Sequence, residues 1–282
     1  MSGISGFRRT IIFLRWLFTP IALAFIAYHV LNQREHLSGI LNEISSGYIV
    51  LSIGVYCLIH VLVPLVTKLL LDSESLGFYQ LIHIHVNRIP ARYLPGGIWQ
   101  TVAKAADYNR AGVVAGQLAR VTILEILLSL ASVLFVGLML LAGSNNNLVY
   151  VSAIPFGMSI VKMIVAPSVE DNRIIVGLSV YVLIWMLISL SFCFYLIGLR
   201  SELSDLAAWM GGYLLAWLVG YLAFFAPQGI GVTEVFFGWL RGTDSDAWVV
   251  LLFGFRLIML MADMVTFGGA RVLVFLYSAK KE

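Results

Sequence analysis

Glu125, Glu234, Arg256 and Asp263 stand inside stretches of this chain that are otherwise almost wholly apolar, and Arg120 lies nearer the end of one. A lone Arg, Lys or Asp at the centre of a membrane helix costs about 2.5–3.5 kcal/mol on insertion scales. Glu125, Arg256, Asp263 and Arg120 ought to face the protein interior or a hydrated path, and pairing across helices would lower their cost. Arg256 has a second use, because a fork-shaped guanidinium suits a lipid phosphate. Structural pairing and ligand binding both fit these residues.

Two segments break the apolar pattern. In FFAPQGIGVTEVFFGW, Phe224 to Trp239, Pro227 removes a backbone donor while Gly229 and Gly231 allow geometry that other residues avoid. A tight turn at a membrane face would explain this. So would a re-entrant loop whose half-helix, starting near Val232, aims its N-terminal amides at an anion. Glu234 falls in the first turn of that half-helix, as a cap or as a cavity acid. In RIPARYLPGGIWQTVAKAADYNRAG, Arg88 to Gly112, the breakers are Pro95, Gly96 and Gly97, and the surroundings are basic: Arg88, Arg92, Lys104 and Arg110. These residues suit an interfacial helix with snorkelling stems, or the collection of an anionic headgroup. Downstream of each break comes an apolar helix holding an arginine and then an acid, Arg120 with Glu125 and Arg256 with Asp263. That is a weak internal repeat. Paired interrupted segments in two halves are the sequence pointer to a transport site.

The elements that must hold these residues follow from composition. The chain is 60% hydrophobic and 12% charged, with a mean hydropathy of +0.93, and a bilayer span needs about 20 apolar residues. The candidate spans are Ile11–Leu31, Gly47–Leu71, Gly112–Ala142, Leu148–Ala166, Ile174–Ile197, Leu206–Ala226 and Ala247–Leu276. Runs this long, without alternation, exclude a β-barrel. The expected fold is an all-α integral membrane bundle of about 7–8 helices with two broken or re-entrant segments, a single domain over 1–282 whose halves, about 47–142 and 174–276, form an inverted repeat. Arg8, Arg9 and Arg15 put the N-terminus in the cytoplasm. Seven full crossings would leave the C-terminus outside, against Arg271, Lys280 and Lys281, so either Pro227–Leu240 completes another crossing or one span is re-entrant. The first span reads as an uncleaved helix.

Other chemistry finds little support. Cys57 and Cys193 read as buried apolar groups. His83 and His85 lack acidic or cysteine partners at metal-ligand spacing and read as residues beside a membrane surface; His60 reads as a packing residue. GVVAG, Gly112 to Gly116, has the small-xxx-small spacing of close helix packing. Nucleophile-elbow, zincin and P-loop patterns are absent, so neither an enzyme nor a cofactor or metal is expected. The net charge of +3, gathered between spans, suits anionic lipid rather than nucleic acid.

YLPGGIWQ followed by NRAGV and a helix with Glu125, then PQGIGVTE and Arg256, resemble the transmembrane domain of the lysylphosphatidylglycerol synthase family. Gln228 departs from the glycine usual after that proline. The resemblance covers most of the chain from about Gly47 and implies a stand-alone member, without the soluble aminoacyl transferase of the lysyl-lipid synthases. It implies a flippase that moves an anionic phospholipid or polyprenyl-phosphate-linked glycolipid between leaflets of the inner membrane. Substrate binding is expected at Arg88, Arg92, Pro95, Gly96, Gly97, Arg110, Arg120, Glu125, Pro227, Gly229, Gly231, Glu234, Arg256 and Asp263. With no ATPase motif, transport would be downhill or ion-coupled, with Glu125, Glu234 and Asp263 as candidate proton carriers. A scaffold or accessory subunit for an envelope glycosyltransferase, or a membrane enzyme on lipid-linked substrates, is the rival reading.

Overall fold

The computed structural model describes residues 31, 45–71, 76–93, 99–144, 169–199, 205–223, 226–242 and 247–279. Every regular element among them is helical, and the chain is an all-α membrane bundle. The expected spans Ile11–Leu31 and Leu148–Ala166, Leu31 excepted, lie outside the described residues, as does the Pro95-Gly96-Gly97 break.

Helices α1 (Ser46–Cys57) and α2 (Ile59–Leu70) form one apolar span with a step at Leu58. Pro64 in α2 lacks the N–H that would bond the His60 carbonyl, which loosens the same stretch. Helix α3 (Phe78–Asn87) leads into a 3-10 turn, Ile89–Tyr93, and α4 (Trp99–Arg110) follows. Next come the long helices α5 (Ala115–Ser144) and α6 (Val169–Gly198), and the shorter apolar α7 (Leu206–Leu222). A second 3-10 turn, Pro227–Gly229, precedes α8 (Val232–Arg241) and the long α9 (Ala247–Ala279). Among the described residues, four spans are long and apolar enough to cross a membrane: α1–α2, α5, α6 and α9. Each half thus runs in the same order: a 3-10 turn, a short helix, a long span.

Helix α8 has 10 residues, so at 1.5 Å per residue it reaches about 15 Å, half a hydrocarbon core. It is too short for the additional crossing considered above and packs back on α7 and α9. Side chains such as Ile123, Leu127, Leu134 and Leu138 on α5 point outward, as a lipid-facing surface requires.

Inside, an aromatic core joins α6 to α9. The rings of Phe192 and Tyr213 lie 4.6 Å apart, Phe192 and Phe255 4.9 Å, and Trp209 and Trp248 4.4 Å. Two small residues let α5 and α7 touch backbone to backbone, since a Cβ on Gly211 would fall 2.7 Å from the Gly137 carbonyl oxygen. Serine pairs join α1 to α6: Ser52 Oγ donates to the Ser191 carbonyl at 2.7 Å, and Ser191 Oγ to the Ser52 carbonyl at 2.8 Å.

Candidate functional site

The second break is built around Gly220 of α7. A Cβ on Gly229 would lie 2.7 Å from the Gly220 backbone, and one on Gly220 would strike Thr233 Oγ1 at 2.1 Å. Gly229 and Gly231 both have positive φ, at 70° and 85°, which glycine tolerates. Gln228 shares that left-handed region, with φ 51°, and is its one non-glycine occupant among the described residues. The loop therefore ends in a tight coil against α7, and Thr233 Oγ1 donates to the Gly229 carbonyl at 3.0 Å.

Glu234 takes the cap role and also pairs with an arginine. Its Oε2 accepts from the Gly231 N–H at 2.7 Å, which caps α8. Its Oε1 accepts from Arg256 Nε at 2.9 Å. Arg256 donates through Nη1 to the Gln228 carbonyl at 3.0 Å, so one guanidinium clamps the loop to α9. The Glu234 side chain is wholly buried, whereas that of Arg256 keeps 16% of its surface. Among the described residues, two of its five guanidinium N–H groups are bonded, which leaves three for a further acceptor.

The first basic segment forms a matching cluster. Asp263 of α9 is fully buried. Tyr93 OH donates to its Oδ2 at 2.6 Å, and Arg92 Nη1 lies 3.3 Å from the same oxygen and 3.2 Å from Tyr56 OH. His60 Nε2 stands 2.8 Å from Asp263 Oδ1. That is ion-pair range, although off the axis of a straight hydrogen bond, and neither atom has a hydrogen bond to another described residue. His60 Nδ1 is 3.1 Å from His85 Nε2. The 3-10 turn makes this possible by returning the chain over the α1–α2 step, so that Arg92 and Tyr93 reach a carboxylate 170 residues away.

Gln228 joins the two clusters. Its Nε2 donates to the Arg92 carbonyl at 2.8 Å, while its own carbonyl accepts from Arg256. Gln228 is therefore the bridge between the two clusters.

The remaining predicted residues divide. Arg88 is held by Asp107 in a two-pronged pair, at 2.5 Å and 2.8 Å, and Arg110 lies 3.5 Å from the same carboxylate. Arg120 is on an exposed face of α5. Glu125 accepts from Thr67 Oγ1 across α2 and α5 and lies in the field of Lys104, whose ammonium burial pushes below its usual range. Arg256 and Asp263 do not pair with each other: Glu234 takes the first, and Arg92, Tyr93 and His60 surround the second.

The histidines divide in the same way. His85 is buried at 5% exposure rather than lying at a membrane surface; only His83 is exposed. His60 packs in the core, yet as part of a polar chain. Tyr56, Tyr93 and Gln228 were not legible as site residues. No sequence spacing marks them, because their partners lie 36 to 170 residues distant. Comparison with protein-family models, curated proteins and solved structures finds no match to this chain.

Proposed function

We propose that the protein is a flippase-type lipid transporter that moves an anionic phospholipid or a polyprenyl-phosphate-linked glycolipid between the leaflets of the inner membrane. One observation carries this reading. Arg92 from the first broken segment and Arg256 from the helix that follows the second are each anchored on a buried acid and tied together through Gln228. Buried ionisable groups among apolar spans are costly and mark substrate paths. Anchoring by Asp263 and Glu234 fixes the arginines while their remaining donors offer bidentate recognition of a phosphate. A headgroup crossing hydrocarbon unaided loses its hydration at large cost; guanidinium groups and the α8 N-terminus would replace part of that water. The glycine-rich motifs resembling the lysylphosphatidylglycerol synthase transmembrane domain support the same reading.

The test is leaflet accessibility of fluorescent lipid in proteoliposomes, comparing phosphatidylglycerol and polyprenyl-phosphate analogues with a zwitterionic lipid. Wild-type protein is expected to move at least one anionic analogue. Arg256→Ala, shown to be folded, is expected to slow that movement at least about tenfold, the equivalent of one charge-assisted contact. Folded wild-type protein that moves none of them would sink the proposal.

A further inference from the structure

The buried chain Asp263–His60–His85 has an end without a partner. His85 Nδ1 is buried and makes no hydrogen bond among the described residues. An ionised carboxylate can only accept, so the arrangement that serves it best puts the His60 proton on Nε2, facing Asp263. His60 Nδ1 then carries a lone pair and accepts from His85 Nε2–H at 3.1 Å. That leaves His85 Nδ1 as a bare acceptor.

Resting on the flippase reading, we infer that Asp263, His60 and His85 form a proton-binding relay that controls whether Arg92 is held by Asp263 or released to an anionic headgroup. A proton from water adds to His85 Nδ1. His85 Nε2 passes its proton to His60 Nδ1, and His60 Nε2, once the ring turns its N–H onto the axis of the 2.8 Å contact, passes its own to Asp263 Oδ1. One proton enters and one ends on the carboxylate, while both imidazoles return to neutrality as the opposite tautomer. A neutral Asp263 no longer balances Arg92, whose contact at 3.3 Å is the longest of those made to Asp263. The guanidinium charge is then free for a phosphate, and return of the proton recaptures it.

The surroundings are consistent with a carrier rather than a store. Tyr56 from α1, Arg92 and Tyr93 from the 3-10 turn, and Lys104 from α4 face the relay, with Cys57 and Tyr213 beside Tyr56. Burial first, then the Lys104 charge, hold the His85 imidazole well below its usual range. It can pass a proton without keeping it.

The proton site is read without transport by 15N-histidine NMR of the full chain in nanodiscs, assigned with His60→Gln and His85→Gln. Both rings are expected to be neutral near pH 7, with the proton on Nε2 and bare Nδ1. A protonated Nδ1 on His85, in either the other tautomer or the imidazolium, overturns the relay. Coupling is read as the steady-state leaflet ratio of a trace anionic lipid in proteoliposomes with the membrane potential clamped. One proton per lipid lets a one-unit pH gradient shift that ratio by up to about tenfold. The shift is expected in wild type and should collapse toward one in His85→Gln and, as a second variant, in His60→Gln. A wild-type ratio that ignores the gradient while lipid still moves, or folded variants that respond like wild type, overturns the coupling. Absence of any lipid movement overturns the flippase reading instead, and the NMR result alone then decides the proton site.

Discussion

At the residue scale, Gln228 carries two opposed effects. A non-glycine residue at φ 51° costs about 1–2 kcal/mol, yet its amide bonds Arg92 O at 2.8 Å and so joins the two halves. Gln228→Ala keeps the strained backbone and loses the bridge; Gln228→Gly loses the bridge but relieves the strain. The alanine variant is therefore expected to be less stable than the glycine variant by about 1 kcal/mol, as measured by denaturant titration in mixed micelles. Equal stabilities would mean that the backbone at 228 relaxes when the side chain goes. Glu234 was legible as a cap or a cavity acid, because its place in the first turn of the half-helix licensed the first and its apolar setting the second; its pairing with Arg256 was not legible. That pairing depends on Arg256 arriving from another helix, which no local pattern encodes. His85 was misread for the same reason: a histidine's setting is decided by what faces it.

Elements were more legible than their meeting points. Apolar run length located α5, α6, α7 and α9, and the glycine–proline break located the start of α8 at Val232 as expected. Hydropathy could not show that α8 stops after 10 residues on a left-handed Gly242, nor that α1 and α2 divide at Leu58. The GVVAG spacing expected to mark close packing does not: a Cβ on Gly112 or Gly116 would meet nothing within 4 Å. Gly137 and Gly211 do that work, 74 residues apart, between α5 and α7. Gly211→Ala places a methyl 2.7 Å from the Gly137 carbonyl oxygen and 2.8 Å from the Leu141 nitrogen, contacts that neither backbone can yield without separating the helices. The expected loss is about 1–3 kcal/mol, against little change for Gly116→Ala. Thermal unfolding followed by circular dichroism in detergent would compare them, and matching midpoints would show that α5 and α7 can part freely.

The whole molecule is held across its length by charge as well as by packing. Composition and the length of the apolar runs, which show no strand alternation, made an all-α membrane bundle legible. They could not show that Asp263 closes the structure by collecting Arg92, Tyr93 and His60 from the first half. This closure yields a stability test that does not depend on transport. Asp263→Asn keeps an oxygen for Tyr93 but leaves Arg92 without its counter-ion. Breaking a buried pair on one side costs about 3–5 kcal/mol, and the 30% of the Arg92 side chain that stays exposed lowers this to about 2 kcal/mol through solvent screening. Adding Arg92→Gln removes the stranded charge, so the double variant is expected to be more stable than Asp263→Asn alone. Because the partners touch, the two effects should not add. A double-mutant cycle in mixed micelles measures this directly; a double variant that loses the simple sum of the two single losses would show that Asp263 and Arg92 stabilise the fold independently, and the charge-mediated closure would have to be abandoned.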